Sequence, residues 1–438
     1  MRLALVRLCT FSGVWMANHD HGSVSPLHQV KLEYSPAEVA AALQHLSELV
    51  FFDTAGNLPS RSHAPVSIIA ARPVEVIRGD VSDFQSLREA INGWQVQTPS
   101  LGFPAGGACG WIDYEGEFCF GIYPEMLIYQ HDRQQWWQCG DLISELGKGA
   151  TPPERVTITD FHATMSRETY EEGVRKIHEY IAAGDIYQVN LTQKFTAEVQ
   201  GGSLFPLYSY LRDNTPSPLA VWMQLAEREV LSSSPETFLR MSGRSIETRP
   251  IKGTRPRFND PEKDAASARE LLESEKETAE LIMITDLERN DLGKICDFGS
   301  VRVADMLALE KLEQVYHLVS TVTGTLREEI DHLAALEACF PGGSITGAPK
   351  KRAMEIITEL EPEPRGLYTG AVGYIGFNGE TQLNIPIRTL VREEGELHYH
   401  VGAGIVSDSA PAAEYEETLQ KAKGIRQALD EFRKREEV

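Results

Sequence analysis

Strand-like runs in this sequence abut one another with no helix between them, and that feature does most to limit the folds open to the chain. A doubly wound sheet needs a helix at every parallel crossover, so its strands and helices alternate strictly. Here residues 186–192, 315–323, 369–376 and 383–391 read as strands, and the helical stretches among them keep no such rhythm. The pattern predicts an α+β fold, with helices outside packed, partly antiparallel sheets. Ser166 caps a predicted helix reaching about Ala183, with Val174, Ile177 and Ile181 at helical spacing. Further helices are expected over 262–283, 349–360 and 411–434.

The first 150 residues are harder to read. They carry short apolar runs such as Val66-Ser-Ile-Ile-Ala-Ala71, and a tight turn at Gly106-Gly107 entering a strand. A first strand is expected over residues 1–10. The stretch 134–153, with Gly147, Gly149, Pro152 and Pro153, reads as a linker between a part at 1–150 and a part at 160–438. With 42 Lys+Arg against 64 Asp+Glu, the 438 residues carry a formal charge of −22. That balance argues against nucleic acid or an anionic membrane surface as a partner, since both would repel the chain. No apolar run approaches the roughly 20 residues needed to span a bilayer. The six cysteines are scattered without a CxxC pair, which fits a reduced cytosolic protein.

Several residues are suited to chemistry. Lys252 in Arg249-Pro-Ile-Lys-Gly-Thr254 stands between apolar residues and a glycine turn. A partly desolvated amine of this kind is a candidate nucleophile. Glu236 follows a proline turn in Ser233-Ser-Pro-Glu236 and is a candidate general acid or base. Glu277 and Glu280 share one helix face, and Glu414 and Glu417 repeat that spacing, with Lys421 one turn on. Two glutamate pairs aimed at one point make a hard oxygen site suited to Mg²⁺. Phe340-Pro-Gly-Gly-Ser-Ile-Thr-Gly-Ala-Pro349 opens a helix but lacks the Lys-Ser/Thr of a Walker A loop. Its amides, and a second cradle at Gly402-Ala-Gly404, could receive a carboxylate. His317 and Arg388 are single polar residues in apolar strands.

Taken in order, Tyr187-Gln-Val-Asn-Leu, Ser-Pro-Glu236, Pro-Ile-Lys252-Gly-Thr, Lys276-Glu277…Glu280…Asp286-Leu-Glu-Arg-Asn-Asp291, His317-Leu-Val-Ser, Gly343-Ser-Ile-Thr-Gly-Ala-Pro-Lys350, Tyr368-Thr-Gly-Ala-Val-Gly-Tyr374, Ile387-Arg388-Thr and Gly402-Ala-Gly-Ile-Val-Ser-Asp408…Glu414…Glu417…Lys421 resemble the chorismate-utilising enzymes over residues 164–425. The resemblance implies a four-layer α/β/β/α core with two orthogonally packed, largely antiparallel sheets. It implies chorismate as substrate and Mg²⁺ as cofactor. Relatives that make anthranilate typically have Ala where Lys252 stands, and relatives that add water to chorismate have a lysine where Gln188 stands. Both differences point to amination at C4, giving 4-amino-4-deoxychorismate on the way to 4-aminobenzoate and folate. Anthranilate formation is the alternative.

The resemblance also assigns roles. Lys252 would attack C2 and Glu236 would protonate the departing C4 hydroxyl. Mg²⁺ would be held by Glu280 and Glu417, with Glu277 and Glu414 acting through water. Arg388, Tyr368, Lys421 and the backbone at Gly402 and Gly404 would bind the carboxylates, which a −22 chain otherwise repels. Ser344 and His317 would line the pocket near the leaving hydroxyl. No Gly-x-Cys-x-Gly elbow is present, so ammonia is expected from a separate glutaminase. No length remains for a lyase domain, so pyruvate removal is expected of another protein. Relatives often bind tryptophan in the N-terminal half. Phe52-Asp53-Thr54 stands roughly where a serine-bearing segment would lie, and Ile112-Asp-Tyr-Glu115 departs from the usual Tyr-Asp pattern, so neither supports a bound tryptophan here.

Overall fold

Neighbouring residues on single strands serve different layers of the molecule. Phe51 packs with helix residues such as Leu43, Leu207 and Leu211, whereas Phe52 and Val50 pack with Trp111, Val372 and Tyr374 of another sheet. Trp222 and its neighbours Val221 and Met223 divide in the same way. Such two-sided burial follows from the period-2 geometry of a strand. It gives the order helices, sheet, sheet, helices. The computed structural model describes residues 24–55, 65–94, 96, 101–149 and 154–436. The strand expected over residues 1–10 and the Pro152-Pro153 pair lie outside them.

Among the described residues one sheet has 13 strands and the other 10. Strands from the first 150 residues sit inside both. Val50–Asp53 pairs antiparallel with Ala220–Leu225, and Gly107–Ile112 pairs antiparallel with Ala371–Gly376. The Phe52 and Tyr374 rings meet edge to face at 5.6 Å across the sheet interface. The stretch expected as a linker contains the strand Gln135–Cys139, laid between Met126–Gln130 and His28–Val30. Trp136 and Cys139 are buried there. Gln134, at φ 52°, makes the turn that a linker reading overlooks.

Three expected elements are interrupted. Residues 262–283 form two helices, Pro261–Leu272 and Glu275–Ile295. Ser274 ends the run because its hydroxyl accepts the Glu277 amide and caps the second helix. Residues 383–391 belong to two strands, Glu380–Asn384 and Thr389–Glu393. The chain turns between them at Pro386 and at Arg388, whose φ is 52°. Residues 411–434 divide into Pro411–Lys421 and Lys423–Glu436. The helix at Ser166 runs Arg167–Ala183 and closes on left-handed Gly184, as its sequence predicts. The five described cysteines are buried and free. No helix among the described residues is long and apolar enough to cross a membrane.

Candidate active site

Lys252 owes its direction to a bulge. The strand Ile251–Pro256 pairs with Val315–Thr325, and the register shifts between Lys252 and Thr254. Gly253 makes the shift at φ +75°, and a Cβ there would lie 2.6 Å from Leu271 Cδ1 and 3.1 Å from Glu277 Oε2. Only glycine satisfies both conditions, and bulges of this kind re-aim a side chain. The Lys252 side chain is 14% exposed, with Nζ 3.9 Å from Glu280 Oε2. It donates to the Ser344 carbonyl at 3.4 Å.

Two buried polar atoms near Lys252 have no hydrogen-bond partner: Glu236 Oε1 and His317 Nε2. Unsatisfied buried atoms are costly, so a cluster of them marks a place where a ligand completes the bonding. Burial raises the Glu236 carboxyl above the ordinary range, opposed by Ser344, Lys252, the Ile251 backbone and Arg388. That is the direction a general acid needs. Burial, helped by Arg388, pushes His317 down to about 3, so its ring is neutral. His317 Nδ1 lies 3.1 Å from Thr254 Oγ1 and 3.4 Å from the Gly253 carbonyl. The carbonyl can only accept, which assigns the proton to Nδ1 and leaves Nε2 as a bare acceptor.

Arg388 faces this group. Burial pushes its guanidinium below the usual value, and Glu236 opposes that shift. Among the described residues it has no carboxylate within ion-pair distance, so it is available to an anion. Tyr368 is buried and stacks on His400 at 5.2 Å. Gly402 and Gly404, expected as a backbone cradle, lie within the strand Glu396–Ile405, opposite Thr192 and Asn190. A Cβ at Gly404 would lie 2.1 Å from Gln188 Nε2, so Gln188 fills the space above it. The Gly402 carbonyl accepts from Lys421 Nζ at 2.9 Å.

Glu277 and Glu280 lie on the helix Glu275–Ile295, and Glu414 and Glu417 on Pro411–Lys421. Each carboxylate has a cation beside it. Glu280 has Lys252, Glu417 has Lys421 at 2.9 Å, Glu277 has Arg255 at 3.6 Å, and Glu414 has Lys276 at 3.6 Å. Burial raises the Glu280 carboxyl, and Lys252 and Lys276 draw it back. Burial acts the same way on Glu417, but Lys421, Lys276 and Lys252 together outweigh it, and the net shift is downward. Lys276 is raised because all four glutamates outweigh its burial. Its side chain was quoted in the motif above without a role, and its position beside Glu277 was the signal available.

No three Asp, Glu, His or Cys side chains among the described residues converge closely enough to hold a metal as they stand. The donor set still fits a hard divalent cation. It offers four carboxylates that all act on Lys276, and Glu414 Oε2 is buried without a partner.

Buried neutral histidines make an acid-sensitive region behind the site. Burial pushes His398 to about 4 and His400 well below its ordinary value. The unfolded chain takes up these protons near pH 6.5, whereas the folded chain refuses them. Stability from this source is therefore present above pH 6.5 and lost as pH falls toward 4. His398→Gln is expected to remove at most about 3 kcal/mol of that acid sensitivity. Thermal unfolding at pH 7 and pH 4.5 tests this: the variant's Tm falls less than the wild type's. An equal fall in both would contradict it.

The chain matches the family model described as "chorismate binding enzyme" over residues 111–427. It is 44% identical over 321 residues to aminodeoxychorismate synthase component 1 of Klebsiella aerogenes, covering 72% of this chain and 71% of that protein. It is 44% identical over 465 aligned positions to anthranilate synthase component 1 of Streptomyces coelicolor, covering 94% and 89%. The crystal structure of anthranilate synthase component I from Streptococcus pneumoniae superposes with a TM-score of 0.73 at 30% identity, covering 84% of this chain and 94% of that one. The family match contains the whole of residues 164–425, over which the motifs resemble the chorismate-utilising enzymes. This chain belongs to the chorismate-binding enzyme family.

Proposed function

We propose that this enzyme converts chorismate and ammonia to 4-amino-4-deoxychorismate through a covalent adduct on Lys252. The observation that carries the reading is the lysine at position 252, aimed by a bulge at Ser344 and Glu280 beside the partnerless Glu236 oxygen. The Lys252 amine attacks C2 of chorismate, both ring double bonds shift, and the C4 hydroxyl departs. Glu236 gives that hydroxyl its proton, so water leaves. Ammonia then attacks C4, both double bonds shift back, Lys252 is released as the free amine, and the new C4 ammonium returns a proton to Glu236. The raised Glu236 carboxyl and the bare Nε2 of neutral His317 support proton handling at C4. Arg388, free of a carboxylate partner, suits a substrate carboxylate, with Tyr368, Lys421 and the backbone near Gly402 and Gly404 completing the anion site. Mg²⁺, held by Glu280 and Glu417 with Glu277 and Glu414 through water, would neutralise the ring carboxylate.

The name carried by the Klebsiella aerogenes relative favours this reading. The broader coverage of the Streptomyces coelicolor relative favours a second, in which ammonia adds at C2 and anthranilate is released. Product analysis separates them: chromatography of a reaction with chorismate, Mg²⁺ and an ammonium salt at alkaline pH yields 4-amino-4-deoxychorismate on the first reading. Fluorescent anthranilate as the main product would overturn it.

The nitrogen source gives a second test. Amide hydrolysis needs an activated nucleophile, and the described cysteines are buried; Cys109 and Cys139 are pushed up by burial, away from thiolate character. With glutamine alone the isolated chain is expected to be inactive. With ammonium salts its rate rises with pH, because only NH₃ attacks. Addition of a matching glutaminase flattens that dependence by delivering ammonia within the complex. Glutamate release from glutamine by the pure chain would defeat the two-subunit reading.

A further inference from the structure

Two turns beyond Glu280, the same helix carries a carboxylate with no metal to bind and no surface to face. Glu288 is 3% exposed, and its Oε1 accepts the Gly343 amide at 3.0 Å. The turn at Gly343 lies directly on the helix. A Cβ on Gly343 would sit 2.9 Å from Glu288 Oε1 and 2.7 Å from Leu287 Cδ2. Lys350 holds the turn from its other side. Its Nζ donates to the Pro341 carbonyl at 2.7 Å, to the Cys339 carbonyl at 3.0 Å and to Asp291. The residue after Gly343 is Ser344, whose carbonyl accepts from Lys252 and whose hydroxyl acts on Glu236.

We propose that Glu288 is a positioning residue for the amination: it fixes the turn that presents Ser344 to Lys252 and Glu236. This rests on the function proposed above. The groups facing Glu288 are Lys350 from the helix Lys350–Leu360, Asp291 on its own helix, Glu236 from the turn before Thr237–Ser242, the Gly343 amide, and the Cys339 thiol at the end of His332–Cys339. Burial pushes Glu288 to about 7. Asp291 and Glu236 push the same way, and Lys350 and the Gly343 amide oppose them. Its charge therefore changes near neutral pH. Above pH 7 the carboxylate bonds the Gly343 amide more strongly.

The test compares wild type, Glu288→Gln and Glu288→Ala at saturating ammonia and Mg²⁺, with kcat and the KM for chorismate measured between pH 6 and 9. Glu288→Ala leaves the Gly343 amide unbonded and is expected to lose roughly 10–100-fold in kcat, the scale of a small misplacement, with little change in KM. Gln keeps an acceptor for Gly343 but never ionises. It is expected to match the wild type near pH 6 and to fall behind steadily above pH 7. A purely structural role would give a variant-to-wild-type ratio flat in pH. Such a flat ratio for Glu288→Gln, or unchanged kcat for Glu288→Ala, overturns the proposal. If the Ala variant does not fold, the Gln profile decides alone. Identifying the wild-type product separately tests the function: anthranilate would refute amination at C4, while these ratios still report on Glu288.

Discussion

Lys252→Ala is expected to abolish C4 amination while leaving chorismate binding near wild-type strength. The binding groups proposed here, Arg388 above all, are untouched by the change. The alanine removes the amine proposed to attack C2, and among the described residues the neighbouring lysines are otherwise engaged. Lys276 and Lys421 are engaged with Glu414 and Glu417. Loss of a covalent nucleophile typically costs three orders of magnitude or more, roughly the scale seen when a catalytic unit is broken. Any residual turnover is expected to move toward anthranilate, since direct attack by ammonia at C2 needs no lysine. Intact-mass measurement on wild type incubated with chorismate is expected to find an adduct that maps to Lys252 and is absent from the variant. Full C4 amination by Lys252→Ala would remove the nucleophile assignment outright.

The second large effect concerns the four glutamates. Activity is expected to fall to background in a chelator and to return on adding Mg²⁺. Glu280→Gln and Glu417→Gln each delete one negative charge from the proposed site, and each is expected to weaken Mg²⁺ binding by about 1–3 kcal/mol. Calorimetric titration of the protein with Mg²⁺, without chorismate, reads this independently of turnover. Lys276 sets the sign of a control. It neutralises the same carboxylates, so Lys276→Met is expected to tighten Mg²⁺ binding rather than weaken it. Unchanged titrations for both glutamate variants would show that the metal, if needed, is held elsewhere.

The sequence was legible where local chemistry and burial agree. Ser166 with the apolar spacing of Val174 and Ile177 predicts the helix that the structure shows, and Gly184 closes it. The same logic was available at Ser274, three residues before Glu277, but helical spacing continues across it and hid the break. The N-terminal third resisted reading for a physical reason. Val50–Asp53 and Gly107–Ile112 are buried at every position, so they show no alternation of apolar and polar residues. Arg388 was placed in a strand because its neighbours are apolar, and nothing local announces its left-handed backbone. Among candidate site residues, the motifs brought Lys252, Glu236, Ser344, His317 and Arg388 onto one list, and the structure gathers them in one place. Glu288 escaped because a glutamate within a helix ordinarily reads as solvated. Only the close approach of Gly343 reveals its surroundings.

The interleaving of early and late strands also bears on how the chain is made. Ile112 lies opposite Ala371, and Phe52 opposite Val221, so neither sheet can be completed by a growing chain until most of it has left the ribosome. Ordering so long an intervening loop costs entropy before any pairing repays it, which places such folds among the slow ones. Until then Gly107–Ile112 carries an unpaired apolar edge on its Ala371 side. A fragment beginning near residue 160 would carry the matching bare edge on Ala371–Gly376 and would be prone to self-association. The residues proposed here as catalytic all lie after that point, yet they depend on the first third of the chain for a sheet in which to stand.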